Sequence, residues 1–156
     1  MHEFFPFDKS FFSHKHKTAG FNYQIVLSTT SQKFFAIDGP YPAGANNDKI
    51  MCHGSETQQK LVAQNKRAIT DGGYEGVKGG GVAIPNRKYH NKLTNMLLRR
   101  LRARHEHWNG RAKQFAIIRE TFRFKKDRLR RHKIVFEAVA VIVATAMETK
   151  WPLFNP

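Results

Sequence analysis

Carboxylates are scarce in this chain. Its 156 residues hold 12 Asp and Glu against 27 Lys and Arg, for a net charge of +15. An acidic side chain among so many cations therefore calls for a reason. Cysteine is almost absent. Cys52 alone excludes a disulfide framework and a cysteine-ligated zinc site, and it fits a reducing compartment. Long apolar runs are missing too. The stretch from Ala138 to Met147 is about ten residues, where roughly 20 are needed to span a bilayer. The Phe-rich start is broken by Pro6, Asp8 and Lys9, unlike the continuous apolar segment of a signal peptide, and no lipidation motif occurs. The expectation is a soluble, intracellular protein with no membrane partner.

A hydrophobic content of 40% with 13 Phe argues against disorder and for a single domain over residues 1–156. The charge is lopsided. Residues 86–133 carry 17 Lys and Arg against Glu106, Glu120 and Asp127, so this third of the chain holds +14 of the total. Such a density suits a polyanion, and DNA or RNA is the commonest one.

The pattern predicts an α/β order. A hairpin is expected from Tyr23–Thr29 and Lys33–Ile37, ending at Asp38-Gly39-Pro40. A rigid loop, Gly39 to Gly44, leads through the capping residues Asn46-Asn47-Asp48 into a helix reaching about Gln64. Short strands are expected at Lys66–Thr70 and Val82–Pro85, joined by a glycine-rich connection. That connection lacks the Gly-Lys-Ser/Thr ending of a phosphate-binding loop. One long amphipathic helix should run from about Lys92 to Thr121, burying Leu93, Leu97, Leu101, Trp108, Ala112, Phe115, Ile118 and Phe122. Lys125–Lys133 reads as a solvated connector, and a last helix, about Ile134 to Glu148, docks through Val135, Phe136, Val139, Ile142 and Val143.

Glu106 is the anomaly on the long helix. Arg99, Arg102, Glu106, Asn109 and Lys113 recur at steps of three or four and share a face away from the apolar stripe. One reading is an intrahelical Arg102–Glu106 salt bridge, worth about 0.3–0.5 kcal/mol. The other is a metal-binding carboxylate among cations that hold phosphate, which needs a second acid. Asp71 is the preferred partner, although Asp71-Gly72-Gly73 could equally be a plain turn. Asp48 reads most simply as a helix cap and Asp38 as a turn residue, and both are lesser metal candidates. Clustered carboxylates repel unless an ion is present, and Mg²⁺ is held by one or two carboxylates plus substrate phosphate. His105 and His107 are two apart on a helix, which disfavours a joint zinc site.

These residues resemble the DDE transposase domain of the Harbinger type. Phe5-Pro6-Phe7 through Ser13-His14-Lys15 is similar to the family's lead into its second strand. Gly39-Pro40-Tyr41-Pro42-Ala43-Gly44 with Asp48 resembles its Gly-Pro-x-Pro-x-Gly-x-x-x-Asp loop, and Asp71-Gly72-Gly73-Tyr74 its Asp-x-Gly-Tyr motif. Arg104-His105-Glu106 with Asn109-Gly110-Arg111 and Lys113 resembles the segment bearing the catalytic Glu, 35 residues after Asp71. Phe136–Val141 and Pro152-Leu153-Phe154 resemble its closing helix and tail.

The resemblance implies a ribonuclease-H-like fold with C-terminal helices, and DNA cleavage and strand transfer with Mg²⁺ or Mn²⁺. Asp71 and Glu106 would be catalytic. Arg99, Arg102, Asn109, Arg111 and Lys113 would contact DNA. It also implies a nuclear location, a separate DNA-binding partner protein and a possible homo-oligomer. The family's first catalytic Asp ends a strand upstream of the Phe-Pro-Phe segment, and this sequence has no counterpart. Asp38 aligns instead with the end of the third strand. The chain is therefore expected to lack the first strand and to be catalytically impaired. A basic, non-catalytic DNA-binding descendant or an inert remnant is the alternative.

Overall fold

The computed structural model describes residues 9–15, 17–31, 33–84, 91–120, 122 and 127–149. The Phe5-Pro6-Phe7 and Pro152-Leu153-Phe154 motifs lie outside them. The chain is mixed α/β, with small sheets followed by C-terminal helices. It forms two compact units, one of Met1–Gln24 with Ile37–Pro85 and one of Ile25–Ala36 with Asn86–Pro156.

In the first unit, a 3₁₀ turn (Lys9–Phe11) leads into β1 (Phe12–Ser13), antiparallel to β2 (Thr18–Ala19). The hairpin strands β3 (Phe21–Leu27) and β4 (Phe34–Pro42) follow, with residues 21–24 and 37–42 in this unit and residues 25–27 and 34–36 in the second. β4 runs five residues past the expected end, so Asp38 is mid-strand rather than in a turn. Gly39 explains the continuation. At φ +130°, a Cβ on it would stand 2.8 Å from the Tyr23 ring, so only glycine lets the backbone pass there. The single helix expected to reach Gln64 is two, α1 (Asp48–Cys52) and α2 (Glu56–Ala63). Gly54, at φ +73°, and the Ser55 cap, accepting from Gln58 N at 3.1 Å, divide them.

β5 (Ala68–Ile69) pairs in parallel with β6 (Val82–Ala83). The glycine-rich segment between them is anchored rather than loose. Gln58, 5% exposed, donates through Nε2 to the Lys78 and Gly80 carbonyls at 2.7 and 2.8 Å and accepts from Gly54 N at 2.7 Å. Among the described residues the six strands form three separate pairs, not one open sheet.

The second unit is built on helices. α3 (Lys92–Ala112) starts at Asn91, whose Oδ1 accepts from Thr94 N at 2.8 Å. It stops earlier than expected, tightening through i to i+3 bonds at Gln114 and Phe115 before a short α4 (Ala116–Arg119). α5 (Arg128–Thr149) begins earlier than expected and absorbs most of the basic run assigned to a connector.

Trp108 is the centre of this core, 1% exposed, with Phe34 at 5.7 Å and Phe136 at 6.2 Å between ring centroids. Leu93 and Leu97 were expected in the stripe but are 68% and 53% exposed, because the buried face at that end runs through the half-buried Thr94 and Leu98. Ile142, likewise expected inside, is exposed, and Ala140 and Met147 take its place against the core.

The Trp108 ring carries this packing, and its Nε1 makes no hydrogen bond among the described residues. Trp108→Ala is therefore expected to cost about 3–5 kcal/mol, Trp108→Phe much less, and Leu93→Ala under about 0.5 kcal/mol. Denaturant unfolding of the three variants checks the order.

Candidate functional site

In the first unit, the 3₁₀ turn Gly72–Tyr74 is capped by Asp71, whose Oδ1 accepts from Gly73 N at 2.9 Å. This is the plain-turn geometry, and it leaves Oδ2 open. Asp48 is not the cap of α1, because Asn47 performs that task by accepting from Ile50 N at 2.9 Å. Asp48 is the first helical residue, and its side chain is therefore available. The two carboxylates converge. A Cβ on Gly73 would lie 3.0 Å from Asp48 Oδ2 and 3.1 Å from Asp71 Oδ1, which bounds the separation of those oxygens at about 6 Å. Both residues are exposed, and neither forms an ion pair among the described residues.

Behind the pair lies a polar cluster. The Gln24 side chain, 6% exposed, donates to the Asp48 carbonyl at 3.3 Å and also bonds Cys52 and Tyr74. Burial, then the Asp48 charge, pushes the Tyr74 hydroxyl up to about 12, with smaller contributions from Cys52 and Asp71 and an opposing one from Gln24. Burial also raises the Cys52 thiol, as does Asp38, against the Gln24 hydrogen bond. Tyr41 rises to about 12 through burial, then the hydrogen bond and charge of Asp38. Asp38 is thus engaged by Tyr41 and by Gly39 N at 2.9 Å, half-buried within β4.

Mg²⁺ and Mn²⁺ take hard oxygen donors, and one or two carboxylates suffice beside substrate oxygens. The Asp48–Asp71 pair fits that requirement in kind and number. No group of three His, Cys, Asp or Glu forms among the described residues.

In the second unit, Glu106 is exposed on α3 and makes no ion pair with Arg102 or any other described residue. Two bonds fix the helix turn that carries it. Arg104, 2% exposed, donates from Nη2 to the Ser31 carbonyl, and its burial lowers the guanidinium pKa. His105 Nε2 lies 3.0 Å from the Ile25 carbonyl, so that nitrogen carries the proton and Nδ1 accepts from Asn109 at 3.4 Å. With both nitrogens occupied, His105 is unsuited to zinc, and His107 is exposed on another side. Arg99, Arg102 and Lys113 are exposed with Glu106, and Asn109 is half-buried. Arg111 is half-buried and lies about 140° around the helix from Glu106, beside the buried stripe.

A family model described as DDE superfamily endonuclease matches residues 5–144. The chain belongs to that family. The matched range of this DDE superfamily endonuclease contains Asp38, Asp48, Asp71 and Glu106 and all five expected DNA contacts. No curated protein and no solved structure matches the chain.

Sequence reasoning ranked Asp48 below Asp71. The signal that raises it, three residues of capping potential in a row with Asn47 best placed to cap, was present but undecided.

A tyrosine held neutral in the fold stabilises it below the ordinary pKa of 10.0 and loses that contribution as pH rises from there towards 12. Stability should therefore fall between pH 10 and 12, and less steeply in Tyr74→Phe. Urea unfolding over that range measures both slopes.

Proposed function

We propose that this chain is a transposase-derived nuclease domain of the Harbinger type, with a ribonuclease-H-like architecture, that cleaves and transfers DNA strands. The observation that carries the reading is the family match over residues 5–144, a range that includes Asp71 and Glu106, 35 residues apart. Asp71, with Asp48 beside it, and Glu106 are the carboxylates that would ligate Mg²⁺ or Mn²⁺. When bound, the ion polarises a phosphate oxygen and lowers the pKa of a water. The chain's own residues bind and orient the substrate. Arg102 and Lys113 neutralise backbone phosphate, Arg99 and Arg111 add charge, and Asn109 donates hydrogen bonds. Attack by water cleaves the strand, and attack by a DNA 3′-hydroxyl joins it.

The resemblance matches two of the family's three catalytic acids, Asp71 and Glu106, and slow nicking by this chain is part of the proposal. A nuclear location and a separate DNA-binding partner protein belong to the same proposal. The basic density of residues 86–133 supports a second reading, a DNA-binding descendant in which the acids are vestigial.

Two measurements separate these readings. For a nuclease, Mg²⁺-dependent nicking of supercoiled DNA falls about tenfold or more in Asp71→Asn and Glu106→Gln, since even outer partners of metal ligands cost about 10–100-fold. For a binding module, duplex affinity ignores Mg²⁺ and Glu106→Gln. In either case Arg102→Ala and Lys113→Ala should each lower the slope of log affinity against log salt by about one. Salt-insensitive binding would overturn both.

A further inference from the structure

Two side-chain amides share one face of β3. Asn22 and Gln24 are two residues apart on the strand, with Phe21 and Tyr23 on the other face. Gln24 is 6% exposed. Glutamine is ordinarily a surface residue, and a buried amide costs stability unless it is hydrogen-bonded. Both amides go to one segment of chain. Asn22 Nδ2 donates to the Asn46 carbonyl at 3.1 Å, and Gln24 Nε2 donates to the Asp48 carbonyl at 3.3 Å. Each pair is 24 residues apart, so the two bonds are successive rungs between residues 22–24 and 46–48.

That segment carries Asp48 into α1. A helix of five residues is too short to hold its own place, so the position of its first residue is set by whatever grips the chain there. Gln24 grips it at both ends, since its side chain also bonds the thiol of Cys52, the last residue of α1. The same side chain bonds the Tyr74 hydroxyl, and Tyr74 ends the 3₁₀ turn that Asp71 caps. One buried amide therefore ties the backbone of Asp48 to the turn of Asp71. It does so where a Cβ on Gly73 would meet oxygens of both acids at 3.0 and 3.1 Å. All of these residues belong to the first unit. An amide can donate to a carbonyl while bonding a hydroxyl and a thiol, whereas an apolar side chain of the same length can do neither.

We propose that Gln24, assisted by Asn22, is a positioning residue for divalent-metal binding, setting the separation of the Asp48 and Asp71 carboxylates through the Asp48 carbonyl and Tyr74. The inference rests on the reading of Asp48 and Asp71 as metal ligands. Removing a hydrogen-bonding partner that orients a ligand lowers metal affinity about 10–100-fold. An amide that served the fold alone would lower stability and leave the ligands' cooperation untouched.

Titration of the full chain, freed of nucleic acid, with Mn²⁺ tests this, the free ion being followed by electron paramagnetic resonance. Gln24→Met, which keeps the side-chain length and removes the amide, should weaken Mn²⁺ binding about tenfold or more. Asn22→Ala, a milder change at a half-buried site, should weaken it about two- to tenfold. Because Gln24 acts through Asp48, the double variant Gln24→Met/Asp48→Asn should bind no more weakly than Asp48→Asn. An ion that loses a carboxylate takes water in its place, so water-proton relaxation should report about one more bound water in Gln24→Met than in the wild type, as in Asp48→Asn. Circular dichroism and urea unfolding without metal confirm that each variant is folded. Asp71→Asn tests the underlying reading. Unchanged affinity in Asp71→Asn would overturn the metal reading and this inference with it. Weakened affinity in Asp71→Asn but not in Gln24→Met or Asn22→Ala, losses that add in the double variant, or an unchanged water count would overturn the positioning role alone.

Discussion

A glycine at position 73 leaves room for two carboxylates to approach one point in the first unit. Asp48 and Asp71 converge where Gly73 has no side chain, and Gly73 N takes part of the Asp71 charge through its hydrogen bond. Tyr74 responds to the same field, its hydroxyl held neutral by burial and by the nearby acids. The pair is exposed, so water screens the two side chains from one another. An arrangement that tolerates adjacent negative charge at the surface is suited to a hard divalent ion.

The second unit solves a different problem, which is to carry a dense positive charge on helices that still need a core. Trp108 provides that core with Phe34 and Phe136. Arg104 and His105 turn polar atoms inward to the carbonyls of Ser31 and Ile25, so they anchor the helix where apolar side chains would otherwise be needed. Because those two residues take the inward positions, Glu106 and the cations around it face solvent. The remaining charge gives the helical unit a strongly positive surface.

Family membership rests on the match over residues 5–144, and within that range the chain displays Asp48 and Asp71 at exposed turns and Glu106 on a basic helix. α5 also has an exposed arc that is apolar, through Ile134, Val141 and Ile142.

Much was legible in the residues alone. The charge asymmetry, the hairpin, the capping run at Asn46-Asn47-Asp48, the burial of Trp108 and the motif order all follow from composition, periodicity and spacing, which are local properties. Tertiary contacts decided the rest. The length of β4 depended on Tyr23 packing over Gly39, and the division of α1 from α2 on a left-handed glycine. Gln58 anchored a loop that reads as loose. The exposed ends of the predicted stripe at Leu93 and Leu97, and the exposed arc of α5, could not be told from core positions, because an apolar residue reports a preference for burial and not whether a neighbour is there to provide it. The sequence determined which acids and cations the protein has to work with. The fold decided that Asp48 stands beside Asp71 and that Glu106 has no ion pair among the described residues, because these outcomes depend on which groups reach each side chain first.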